Sequence, residues 1–115
     1  MNVTRFATAP AYPAPADHHG MACLRLQGLN AGPSQALWVG LSQIEPGGSI
    51  EHGASPLEKH YVVLAGEVTV LTDDAEAVLG PWDSVCLAPG EARALQNRSG
   101  APACLLLAMP LPPKP

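Results

Sequence analysis

Charge is scarce in this chain. Only six Lys and Arg and ten Asp and Glu occur in 115 residues, 14% charged against roughly 25% in an average soluble domain. With six basic residues and a net charge of −4, no basic stripe exists to neutralise a row of phosphates. That argues against nucleic acid as a partner. Long apolar runs are missing too. The longest, 104–109, is far too short to span a membrane. The first sixteen residues carry a lone Arg5 and no apolar stretch of signal-peptide length, so a cytoplasmic location is expected. Aromatics are few (two Trp, two Tyr, one Phe), which leaves aliphatic side chains to fill the interior. Cys23, Cys86 and Cys104 form no C-x-x-C and cannot all pair, so buried free thiols are expected.

What the chain does have is 47% hydrophobic residues, thirteen prolines and eleven glycines. At this length one domain over 1–115 is expected, because two would each be too small to bury a core. The prolines and glycines leave no uninterrupted helix. The stretch 1–16 is an extended, Pro-rich lead-in that orders only if it docks, and 110–115 is a polyproline-like tail. Between them lie short runs at 22–26, 36–44, 60–63, 67–71, 75–79, 84–87, 92–96 and 103–109. Turn residues such as Pro46-Gly47-Gly48, Ala65-Gly66, Gly80-Pro81 and Pro89-Gly90 separate them. Evenly spaced short strands predict an all-β sandwich or barrel.

The segment 46–67, PGGSIEHGASPLEKHYVVLAGE, resembles the first signature of the cupin family, G-x5-H-x-H-x3/4-E-x6-G. Its YVVLAGE at 61–67 is the strongest local match, and 80–97 resembles the second signature, with Gly90 and Asn97 aligned. The resemblance covers about 36–109 and implies an antiparallel jelly-roll barrel, a double-stranded β-helix of the RmlC-like type. It also implies a metal held inside the barrel by three His and one Glu. Mapped onto this chain, those four positions fall on His52, Ala54, Lys59 and Arg93. Ammonium and guanidinium groups have no lone pair to offer a metal. No cofactor is therefore expected, with His52 as the fallback ligand if a divalent transition metal binds through displaced groups such as Glu51, Glu58 or His60.

Strand alternation turns Lys59, Tyr61 and Val63 inward and Glu58 and His60 outward. The resemblance implies that Lys59 and Arg93, aligned with converging ligand positions, meet in the barrel as the expected catalytic pair, with Tyr61, His52 and Arg93 as substrate-binding groups. Two cations in an apolar cavity call for an anionic ligand, a small carboxylic acid gripped by Arg93. Lys59 beside Arg93 would lose basicity and serve as a base or a Schiff-base nucleophile. Isomerisation, decarboxylation or lyase chemistry is the leading expectation. A small-acid carrier or sensor without turnover is the second, and a metal-dependent oxygenase or isomerase with displaced ligands the third. His18 and His19 read as exposed loop, Cys86 as a buried inert thiol, Trp38 as core or interface, and Trp82 as cover for a barrel end or a subunit seam. The low charge and cupin resemblance together predict a homodimer.

Overall fold

The computed structural model describes residues 1–113; of the tail, Lys114 and Pro115 lie outside them. Nine strands occur among the described residues: β1 Ala11–Tyr12, β2 His18–Gln27, β3 Leu37–Gly53, β4 Lys59–Ala65, β5 Val68–Thr72, β6 Glu76–Leu79, β7 Ser84–Leu87, β8 Arg93–Gln96 and β9 Ala103–Pro110. They pair antiparallel in the order β6-β5-β8-β3-β9-β4-β7, with β2 added to β3 and β1 to β2, as a nearly closed barrel. The expected all-β jelly roll is the fold.

β3 organises it. Its first half, from Leu37 to Ile44, lies between β2 and β9, and its second half runs beside β8. The Pro46-Gly47-Gly48 segment, expected to end a strand, bends one instead. Gly47 donates to the Asn97 carbonyl at 2.9 Å and Asn97 donates back to Gly48 at 3.0 Å, so pairing carries across the bend. Buried Asn97 also donates its side-chain amide to the Ile44 and Ala101 carbonyls at 3.0 and 2.8 Å, and its Oδ1 accepts from Ser99. A buried amide so fully paired fixes where β8 ends.

Alternation packs one end of the barrel. Ile44, Ile50, Val63, Val68, Leu95 and Leu105 are almost wholly enclosed, and no aromatic is among them. The hairpin from β4 to β5 closes at Gly66, whose φ is +79° and where a Cβ would stand 2.6 Å from the Pro102 carbonyl oxygen. Only glycine meets both demands. Asn2 donates to Gln27 and to the Ala31 carbonyl, and Arg25 donates its backbone N–H to Pro10, so the Pro-rich lead-in docks on the barrel. Docking sets Tyr12 edge-on to buried Trp38, ring centroids 5.8 Å apart.

Of the three free cysteines, Cys23 is buried and Cys104 half-buried, but Cys86 is exposed. Here the expectation of a buried thiol fails, because Cys86 points out of a strand whose inward positions are Val85 and Leu87. Among the described residues no helix is long and apolar enough to cross a membrane.

Candidate active site

The other end of the barrel stays open around a cavity of about 220 Å³. Trp38, Tyr12, Met21, Ile50, Leu107 and Met109 form most of its wall, while His18, Lys59 and Tyr61 bring polarity to it. Arg25 lies over the Tyr12 ring, its guanidinium carbon 4.1 Å from the centroid, and 5.0 Å from that of Trp38. This stacks a cation on the aromatic wall.

Lys59, Tyr61 and Arg93 face inward, as strand alternation requires. Tyr61 and Arg93 are buried and Lys59 is half-buried. One Arg93 nitrogen, NH1, donates to the Gly53 carbonyl at 3.2 Å, and its Nε is buried with no partner. Burial and then the charge of Arg93 lower the basicity of Lys59, with Asp17 opposing. Burial also raises the Tyr61 phenol, which keeps its proton at neutral pH despite nearby Arg93. Tyr12 is pushed up to about 12, first by burial and then by Cys23.

His52 does not join them. Ile50 pairs with Leu95 but Gly53, three residues on, pairs with Arg93, only two back along β8. The extra residue is a β-bulge, and it turns His52 outward to meet Asp73 at 3.1 Å, its side chain 61% exposed. The substrate-binding and fallback-ligand expectations for His52 are thereby corrected. Ala54, Lys59 and Arg93 offer nothing in its place, so the barrel does not fit the metal centre that the signature implies.

His18 takes the opposite path. Expected on an exposed loop, it lines the cavity with its side chain 11% exposed. A second bulge explains this: His19 pairs with Ser49 and Met21 with Ile44, and between them Gly20 has a φ of +63°. Both His18 and Met21 then face in. Asp17 accepts a hydrogen bond from His18 Nδ1 at 2.7 Å. A carboxylate only accepts, so Nδ1 carries the hydrogen and Nε2 presents a lone pair. Burial lowers the basicity of His18, with Asp17 pulling the other way. Asp17 itself is held below the usual carboxylate range, first by His18 and in smaller part by Arg93. It places one negative charge near the inward cations Lys59 and Arg93. Neither Asp17 nor His18 carries a sequence signal beyond residue type.

The lowered basicity has a measurable consequence. The unfolded chain protonates His18 near the ordinary value of 6.5, while the folded chain resists to lower pH. This contribution to stability is complete above 6.5 and is lost as pH falls from there through the folded value. His18→Gln should therefore narrow the gap between urea midpoints at about pH 7.5 and 5.5. An unchanged gap would mean His18 is not buried as described.

No protein-family model matches the chain. It is similar to beta-D-galactosidase Rv1717 of Mycobacterium tuberculosis, 48% identical over 112 residues, which cover 97% of this chain and 96% of that protein. Its fold is similar to that of the polyketide cyclase RemF from Streptomyces resistomycificus, at a TM-score of 0.87 and 17% identity, covering 100% of this chain and 82% of that one. It is also similar to a sugar phosphate isomerase of the cupin superfamily from Silicibacter pomeroyi, at a TM-score of 0.79 and 24% identity, covering 95% and 75%. At such identities the two structures share the fold alone.

Proposed function

For a chain with the cupin fold, as this one has, we propose that the barrel mouth is an active site. Its work is metal-independent proton transfer on a small sugar acid, by elimination or isomerisation. One observation carries this reading: His18, seated on Asp17, shares a single small cavity with Lys59 and Tyr61, and buried Arg93 lies beside them. The cationic pair holds the carboxylate and the enolate-like charge that grows when the adjacent C–H bond breaks. His18 Nε2 takes that proton, so the base role expected of Lys59 passes to the histidine. Tyr61, still protonated, gives its proton to the departing oxygen. In elimination the C–H and C–O bonds break as a C=C bond forms. The aromatic wall of Trp38 and Tyr12 suits the flat face of a sugar ring.

The relative's name favours a second reading, hydrolysis of a β-galactoside. Glycosidases of the common kind need two carboxyl groups flanking the bond, roughly 5–9.5 Å apart. No carboxylate among the described residues lines this cavity, and Asp17 beside it is committed to His18. Purified protein offered a galacturonide and a nitrophenyl β-galactoside separates the two. Ultraviolet absorption from a C=C product supports elimination; nitrophenol release with no such product would replace it with hydrolysis. Binding of both without turnover would leave a carrier.

The active unit in this proposal is a homodimer. Trp82 is 77% exposed and sits at a φ of +70°, a conformation bulky residues avoid, with Phe6 and Val78 exposed as well. Light scattering at tens of micromolar should give twice the 11.9 kDa chain mass, and a monomer would rule the dimer out.

A further inference from the structure

On the outer face of the barrel, away from the cavity, His60 and Cys86 are directly opposite one another on β4 and β7. Cross-strand partners point to the same side of a sheet. Glu58, two residues before His60, shares that side, so three chemically different donors meet over the edge strand β7. The His60 Nε2 is 2.9 Å from a Glu58 carboxylate oxygen and 3.8 Å from the Cys86 sulfur. One donor atom from each of the three residues falls within 4.8 Å of the others.

That arrangement is wrong for a nucleophilic triad. Such a triad needs the thiol on one imidazole nitrogen and the carboxylate on the other. Here both face the same nitrogen. Three lone-pair donors aimed at one point are instead the coordination sphere of a cation. Around a tetrahedral zinc ion with ordinary bond lengths, N···S and N···O separations are about 3.6 and 3.3 Å. The observed 3.8 and 2.9 Å lie within a few tenths of an ångström.

We infer that Glu58, His60 and Cys86 form a surface site for a single zinc-class divalent cation, with the fourth position open. Thiolate, imidazole and carboxylate together suit zinc better than magnesium or calcium, which favour oxygen alone. Glu58 and His60 also border a shallow groove with Leu37, Met109 and Pro110, so the open position adjoins apolar surface. This site is separate from the barrel mouth, and it stands whether or not the barrel is catalytic.

Cobalt(II) added to untagged, chelator-stripped protein under a non-thiol reductant provides the test, because a cobalt–thiolate bond has its own near-ultraviolet charge-transfer band. The expected result is one cobalt per chain with that band, displaced by zinc. Cys86→Ser should abolish the band and His60→Ala should weaken binding roughly a hundredfold or more, since even outer-shell partners are worth 10–100-fold. These are exposed side chains, so the variants should keep the native circular dichroism. His18→Ala should leave cobalt binding unchanged. No charge-transfer band in the native protein, its persistence in Cys86→Ser, or its loss in His18→Ala would each overturn the assignment.

Discussion

His18→Ala is expected to lower kcat by about 10²–10⁴-fold, the range for removal of a positioned general base. KM should move little, because the carboxylate is held by Lys59 and Arg93. Added imidazole should restore part of the rate, and Asp17→Asn should cost rate as well by releasing the tautomer that Asp17 enforces. The rate of the native protein should fall as His18 takes a proton, and it will do so below the ordinary 6.5 because burial disfavours that proton. Turnover that survives the substitution would remove His18 from the chemistry and with it the proposed mechanism.

Arg93→Met should weaken carboxylate binding by roughly 1.5–3 kcal/mol, about 10–150-fold in Kd, the worth of hydrogen bonds to a charged group. Lys59→Met should act in the same direction. The empty protein should lose no stability through either loss of charge, and gain on the order of 1 kcal/mol is expected where an uncompensated inward cation disappears. Two features motivate that sign. The Nε of Arg93 is buried without a partner, and Lys59 already has lowered basicity from burial and from Arg93. Calorimetry with a sugar acid, together with urea unfolding without it, reads both effects. Equal affinities in native and variant proteins would leave the pair with no part in binding.

Much of this site was legible along the chain because its signals are local. Lys59, Tyr61 and Val63 alternate on one strand, and a period of two is set by the pleat itself. The YVVLAGE hairpin shows its turn glycine, and Gly66 does occupy a left-handed position pressed against Pro102. Asn97 aligns with the second signature, and its buried amide ties the end of β8 to the Ile44 and Ala101 carbonyls. Composition was equally direct: thirteen prolines and eleven glycines leave no uninterrupted helix, and the described residues are mostly strand and turn.

His18 and His52 exchanged places, and nothing near either residue in the sequence foretells it. Each lies next to a β-bulge, one at Gly20 and one between Ile50 and Gly53. A single extra residue flips every side chain beyond it to the other face, so the histidine matched by motif went outside and the unmatched one went in. Whether a bulge forms is decided by pairing with strands distant in sequence: Ser49 and Ile50 must satisfy both β2 and β8 at once. The Glu58–His60–Cys86 cluster has the same origin, since the spacing of Glu58 and His60 is local but Cys86 reaches them only through the β4–β7 register. The sequence by itself therefore determined most of the strands, the barrel and the inward faces of β4 and β8. Tertiary structure decided which histidine meets the cavity, which carboxylate lies near its cations and which thiol stands opposite His60, because register between strands is a property of pairs and not of either strand alone.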